Sequence, residues 1–253
     1  MGTFEALLLS LVQGVAEWLP ISSDGHLVLF EKLFDIQEAN LSFDVFLHLA
    51  SLLLMLLFFR KQIIEIIRGF FNRKLVSGQT EPRKNWWWLI ILSSFFTAIV
   101  AYYLSDKIAY FRTINDVGNW LFITSIFLLA SKFSRGEKSI GWKEAVILGI
   151  FQGFAVLPGL SRSGTVIAMA LVMKIKKEDA FDYGFIVAIP AIIGAFLLTV
   201  KDFHFESIYI LAFIATFIIS YFSLKLLKLI MKRDYFYLFF IYTLILSLII
   251  KLN

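Results

Sequence analysis

The sequence predicts an all-α integral membrane protein: an inverted repeat of one re-entrant helical hairpin plus three transmembrane helices, giving six full spans and two re-entrant hairpins. Three observations lead there. The first is composition. The 253 residues are 59% hydrophobic and 17% charged, against about 45–50% and about 25% in soluble domains, and the mean hydropathy is +0.80. The second is a set of six apolar runs, each long enough to cross roughly 30 Å of hydrocarbon as a helix. The third is a pair of further apolar stretches, each broken near its middle by polar, Gly and Pro residues, with similar residues at the two breaks. The net charge of +5 and pI near 9.3 do not point to nucleic acid, because the basic residues sit in short connections between apolar runs. The absence of Cys excludes disulfides, thiolate nucleophiles and Cys-held metals. With only His26, His48 and His204 available, a metal would have to rest on carboxylates or phosphate oxygens.

The elements follow in chain order. The first broken stretch covers 4–34. No Lys or Arg precedes Lys32, so the positive opening of a signal peptide is missing and the stretch is expected to belong to the mature chain. Each of its halves is too short to span, and such segments are tolerated at membrane depth only where protein or a water-filled cavity satisfies the freed backbone. A hairpin is therefore expected. A span at 43–59 comes next, then a polar stretch at 60–85 whose amphipathic part, 62–71, belongs at the interface. Spans at 86–104 and 118–133 complete the first set, with Trp86-Trp87-Trp88 read as an aromatic belt at a span end. The second broken stretch, 144–175, is expected to form the second hairpin. Spans at 183–200, 207–224 and 235–252 finish the chain. Pro190 is expected to kink the first of these, and Gly194 with Ala195 to permit close helix packing.

An internal repeat ties the two breaks together. Gln13-Gly14 recurs as Gln152-Gly153, and Ser22-Ser23-Asp24-Gly25 as Ser161-Arg162-Ser163-Gly164, in both cases 139 positions on; Phe43-Asp44 recurs as Phe181-Asp182, 138 on. A single membrane domain over 1–253 is thus expected, with repeat one over about 1–134 and repeat two over about 140–253. A hairpin returns to its own side and three spans end on the opposite side, so the second copy inserts upside down. The two hairpins then dip in from opposite faces and meet near the midplane. Of the 24 Lys and Arg, Lys32, Lys107, Arg112, Lys201 and Lys251 lie on one face, Arg162 lies within a hairpin, and the other 18 lie on the opposite face. The rule that positive loops stay inside puts those 18 in the cytoplasm, with both termini outside and the first hairpin opening outward.

Chemistry concentrates at the two breaks. Gln13 and Glu17 are four apart and share a helix face, and Ser23 and His26, three apart, share one if the second half-helix begins near Ser22. The Ser-Ser-Asp-Gly turn leaves backbone N–H groups at a helix start, an anion site, although Ser22 or Asp24 could equally cap that half-helix. Ionisable residues inside a membrane are functional by default. In the second hairpin, Arg162 presents a planar fork suited to phosphate oxygens, flanked by Ser161 and Ser163; its alternative is to neutralise Glu17 or Asp24 across the repeat interface. His48 reads as a packed, hydrogen-bonded histidine, and His204, in an outward loop, carries no signal.

Gln13-Gly-Val-Ala-Glu17-Trp-Leu-Pro-Ile-Ser22-Ser23-Asp24-Gly25-His26 and Pro158-Gly-Leu-Ser161-Arg162-Ser163-Gly164 resemble the two signature regions of the undecaprenyl-pyrophosphate phosphatases, the bacitracin-resistance family. Phe43-Asp-Val-Phe-Leu-His48-Leu and Ala188-Ile-Pro-Ala-Ile-Ile-Gly194-Ala are also similar, so the resemblance runs from the first helix to the last span. It implies a plasma-membrane enzyme that removes the terminal phosphate of a polyprenyl pyrophosphate and so regenerates the lipid carrier for cell-wall glycan synthesis. Glu17, Ser23, His26 and Arg162 would be catalytic. Gln13, Ser22, Gly25, Ser161, Ser163 and Gly164 would line the head group. Asp24 stands where Thr is usual, and Ala50-Ser51 where Gly-Thr is commoner.

From the residues themselves, the expected site is an anion cradle with a carboxylate able to hold Mg²⁺ or Ca²⁺, with Glu17 and Asp24 as ligands. Either Ser23 attacks phosphorus with His26 as general base, or a water held by Glu17 and His26 attacks directly. The expected partners are the polyprenyl pyrophosphate lipid and the bilayer, with no nucleic acid and with a homodimer left open. A polyprenyl-phosphate flippase is the alternative, since inverted repeats also suit alternating access.

Overall fold

The computed structural model describes residues 2–36, 41–71, 82–133, 136–199 and 205–252, with nothing stated of the side chains at 41, 42 and 109. Among them the structure is helical, apart from one isolated bridge between Lys138 and Ile175. The first hairpin is α1 (Thr3–Ala16) and α2 (Ser23–Leu33), followed by α3 (Leu41–Phe58) and α4 (Arg60–Phe71), then α5 (Trp86–Ser105) and α6 (Ile114–Ser131). The second hairpin is α7 (Trp142–Phe154) and α8 (Arg162–Val172), followed by α9 (Lys177–Ile186), α10 (Ala188–Thr199), α11 (Ile208–Lys232) and α12 (Phe239–Leu252).

Both hairpin helices that point into the protein start where the sequence provides a hydroxyl. Ser22 and Ser161 are the N-caps of α2 and α8, accepting the N–H of Gly25 (3.3 Å) and Gly164 (3.1 Å), three residues on. Such caps satisfy an otherwise unpaired helix donor, which matters most where water is scarce.

Among the described residues, four helical segments are long and apolar enough to cross a membrane: Arg83–Ser105, Ile114–Ser131, Lys177–Thr199 and Ile208–Lys232. The third combines α9 and α10, which part at Val187, with Pro190 in the first turn of α10. A fifth crossing is available if α3 and α4, bent by 74° from one another, count as one broken span. The segment Phe236–Leu252 is apolar but shorter. The protein is therefore a multi-pass, helical membrane protein with four to five such segments among its described residues. The amphipathic reading of 62–71 is met by α4, whose bend away from α3 leaves Ile64, Ile67 and Phe71 exposed and buries Ile66 and Gly69.

The core lies around the hairpins. Trp18, Phe59, Trp86, Val166, Ile167, Tyr183 and Phe185 are all buried, with Trp18 against Phe185 at 5.1 Å between ring centroids. Trp86 departs from the aromatic-belt reading: it sits edge-on to Tyr183 at 5.1 Å and is 1% exposed, because α9 presents an aromatic to that end of α5. Gly194 departs as well. A Cβ there would meet nothing within 4 Å, so it supports no close packing. His204 lies outside the described residues.

The hairpins are wedged by their outer neighbours. Helix α1 packs on α11, α7 on α5, and α6 on both α8 and α12. Two contacts repeat in kind. Thr97 on α5 donates its hydroxyl to the carbonyl of Gly149 on α7 (2.9 Å), and Thr216 on α11 donates to the carbonyl of Ser10 on α1 (3.4 Å).

Candidate active site

The two hairpins meet at their turns. Ser22 Oγ, besides capping its own helix, accepts the backbone N–H of Gly159 at 3.0 Å. Both residues hold a positive φ, 72° and 101°. A glycine takes that conformation freely; a serine there costs about 1–3 kcal/mol unless its surroundings hold it. The two hydrogen bonds to Ser22 Oγ do so. Gly25 is required for a second reason: a Cβ on it would stand 2.9 Å from Gly159 Cα, closer than the turns can tolerate. Thr124 on α6 secures the other turn, donating to the Gly159 carbonyl (2.9 Å) and accepting from the Ser161 N–H (3.0 Å).

Glu17, in the turn between α1 and α2, is the hub of the site and is 4% exposed. One carboxylate oxygen, Oε1, takes the guanidinium of Arg162 from the second hairpin. The other, Oε2, accepts from Ser23 Oγ (2.8 Å) and Gln13 Nε2 (3.1 Å) and faces His48 Nε2 at 3.2 Å. Four residues, from α1, α2, α3 and α8, thus converge on one carboxylate held in the turn. A buried charge is tolerable only when paired and hydrogen-bonded in this way. Ser163 Oγ lies 3.5 Å from the Glu17 carbonyl, so the second hairpin touches Glu17 from its backbone side too.

Several expectations change at this level. Arg162 forms the pair with Glu17 that the sequence offered as its alternative. Ser23 and His26 share a helix face, as their spacing requires, yet each bonds elsewhere: Ser23 to Glu17, and His26 through Nδ1 to the Ser22 carbonyl (2.8 Å) and through Nε2 to the Tyr242 hydroxyl (2.7 Å). A carbonyl only accepts, so His26 Nδ1 donates, and Nε2 is left facing Tyr242. The Ser23–His26 pair is therefore not formed in this arrangement. Ser22 and Ser161 spend their hydroxyls as caps, and the N–H groups of Gly25 and Gly164 are taken by those caps.

The expected metal ligands do not make a metal site as arranged. Glu17 is closed by the donors just described, and Asp24 Oδ1 lies 3.7 Å from the same His48 Nε2. Among the described residues no group of three or more His, Asp or Glu is placed to hold a metal ion. These carboxylates are occupied by protein donors.

Two site residues escaped sequence reasoning. His48 was legible in principle, as an ionisable residue inside an apolar span, but its direction toward Glu17 depends on how α3 packs. Tyr242, on α12, lies 216 positions from His26 and gave no sequence signal. A separate polar lock stands at the C-terminal end of α2: Arg112 reaches Glu31 (3.2 Å) and Asp44 (3.5 Å). Its counterpart joins Arg83 to Asp182 at 2.7 Å.

Comparison with known proteins gives a consistent picture. A model of the family described as "Bacitracin resistance protein BacA" matches residues 6–249. The chain is 39% identical over 249 residues to a protein of Methanosphaera stadtmanae, covering 90% of this chain and 89% of that one. It is 37% identical over 229 residues to a Methanococcus vannielii protein (88% and 89% covered). With a protein of Carboxydothermus hydrogenoformans it shares 33% over 249 residues (92% and 90% covered). All three of those proteins are named undecaprenyl-diphosphatase.

Proposed function

The chain belongs to the bacitracin resistance protein BacA family, and on that premise we propose that it is a membrane undecaprenyl-diphosphatase, removing the terminal phosphate of a polyprenyl diphosphate to recycle the lipid carrier. The observation that carries the reading is the convergence of Arg162 and Ser23 on the one buried carboxylate of Glu17. In this reading Arg162 is a phosphate-binding fork, Ser23 a hydroxyl nucleophile and Glu17 a proton acceptor, gathered at the junction of two hairpins.

The residues work as follows. An arriving pyrophosphate competes for the Arg162 guanidinium, whose planar fork matches phosphate oxygens. Glu17, released from that partner, takes the proton of Ser23 Oγ as the oxygen attacks the terminal phosphorus. The Ser–O–P bond forms, the bond from phosphorus to the bridging oxygen breaks, and undecaprenyl phosphate leaves with the bridging oxygen. Water then hydrolyses the phosphoserine, returning the proton to Ser23 and releasing phosphate. His26, oriented by the Ser22 carbonyl, serves the water or the leaving oxygen rather than Ser23. Any Mg²⁺ or Ca²⁺ requirement would rest on the pyrophosphate oxygens rather than on Glu17 and Asp24, and is read by chelation in the same assay.

The finer topology belongs to this reading too. Six spans and two opposed hairpins are supported by the matched Thr97–Gly149 and Thr216–Ser10 contacts and by the paired Ser22 and Ser161 caps. Both termini outside the plasma membrane and a site opening outward are supported by the distribution of Lys and Arg. All site residues come from one chain, so a homodimer is not needed to complete it. The flippase alternative has no support from the relatives and is not carried further.

The test is phosphate release from undecaprenyl diphosphate by pure protein in detergent, where there is no bilayer to flip across. Turnover that disappears in Arg162→Ala and Ser23→Ala supports the reading. A wild-type protein that binds the lipid without releasing phosphate would remove it.

A further inference from the structure

Helix α3 is apolar along 45–58 except at His48 and Ser51, and His48 is turned into the site. Its Nδ1 faces the carbonyl of Asp44 one turn earlier at 2.9 Å and must donate there, because a carbonyl only accepts. That bond fixes the ring plane and leaves one nitrogen, Nε2, to face the site. Nε2 stands 3.2 Å from Glu17 Oε2 and 3.7 Å from Asp24 Oδ1. The two carboxylates differ in setting: the Glu17 side chain is 2% exposed and that of Asp24 42%. They are also the two that a bridging divalent cation would be expected to join.

We propose that His48 is a positioning residue that takes the place of such a cation, its pinned Nε2 tying the buried carboxylate of Glu17 to the carboxylate of Asp24 at the mouth of the site. The proposal rests on the phosphatase reading for its kinetic consequence, not for its structural one. Asp24 stands where the family resemblance has a neutral hydroxyl. A second carboxylate beside Glu17 would repel both it and the incoming pyrophosphate unless a donor offset it. His48 is that donor, and the two residues form a unit. When Arg162 turns to the substrate, His48 keeps Glu17 Oε2 aimed at Ser23 Oγ, so loss of His48 is expected to lower kcat more than it raises KM.

The experiment has a kinetic arm and a binding arm, with every variant checked by size exclusion and thermal melting in detergent. In the first, His48→Ala is expected to lower kcat at least tenfold with KM changed less than threefold. His48→Gln, which keeps an N–H donor of similar reach, recovers at least a third of the wild-type kcat. Adding Asp24→Thr to His48→Ala, which removes the uncompensated carboxylate, restores at least threefold. In the second arm, Mn²⁺ is titrated into lipid-free protein and followed by electron paramagnetic resonance. The wild type is expected to take up no stoichiometric ion, and His48→Ala to gain a site that Asp24→Thr abolishes.

A His48→Ala protein with wild-type kcat would overturn the positioning role. Stoichiometric Mn²⁺ on the wild type that is lost in His48→Ala would make His48 a ligand instead, and no Mn²⁺ uptake by His48→Ala would overturn the substitution of His48 for a cation. Because the Mn²⁺ arm needs no turnover, failure of the phosphatase reading is distinguishable from failure here.

Discussion

The guanidinium of Arg162 closes on the carboxylate of Glu17 across 145 positions of sequence. This pair, beside the hydrogen bond from Gly159 to Ser22 Oγ, joins the second hairpin to the first. The Arg162 side chain is 17% exposed and that of Glu17 2%, and breaking such a pair from one side strands a buried charge at a cost of about 3–5 kcal/mol. Arg162→Ala should therefore lose both activity and stability. Arg162→Lys keeps the charge but not the fork and should lower kcat/KM on undecaprenyl diphosphate at least a hundredfold. The double variant Glu17→Gln, Arg162→Gln should melt closer to the wild type than Arg162→Ala does, since neither charge is left alone. Phosphate release and thermal melting read both effects.

Ser23→Ala removes the oxygen that donates to Glu17 at 2.8 Å without disturbing Arg162. Turnover should fall at least a thousandfold while binding of the lipid, measured by equilibrium dialysis in detergent, changes less than threefold. Residual turnover within tenfold of the wild type would favour direct attack by water over a phosphoserine.

The hairpin crossing predicts a contrast between two glycines. A Cβ at Gly25 would stand 2.9 Å from Gly159 Cα, whereas one at Gly194 would meet nothing within 4 Å. Gly25→Ala should force the turns apart and destabilise by about 1–3 kcal/mol, with loss of activity. Gly194→Ala, inside α10, should be neutral or stabilise by up to about 1 kcal/mol through helix propensity. Denaturation of the purified variants separates the two.

The orientation is checked by single cysteines, which the Cys-free chain makes simple. A Cys replacing Lys251 at the end of α12 should react with an impermeant thiol reagent in intact cells, and one replacing Lys143 on α7 should react only after lysis. The reverse pattern would turn the whole arrangement over.

What the sequence by itself determined was whatever depends on neighbours along the chain. Long apolar runs must be helices in lipid, because no other backbone there satisfies its own hydrogen bonds. Breaks containing Pro, Gly and Ser must interrupt them. Ser22 and Ser161, each three residues before a glycine N–H, stand where a hydroxyl can cap the helix that follows, and in the fold both do so. The recurrence of Gln-Gly and Ser-x-x-Gly at a constant separation showed that two such breaks belong together. What only the tertiary structure decided was which polar group meets which, because contact between residues on different helices is set by packing and rotation about the helix axis, not by spacing. The three-residue step from Ser23 to His26 fixes a shared face but not a shared bond; Ser23 donates to Glu17, and Tyr242 arrives from the last helix to hold His26. His48 looked like one more packed residue in an apolar span until the rotation of α3 aimed its Nε2 between Glu17 and Asp24. Trp86, placed by sequence at a membrane boundary, is instead covered by Tyr183 from a helix nearly a hundred residues away, since an aromatic at a span end goes to lipid only where no neighbouring helix covers it.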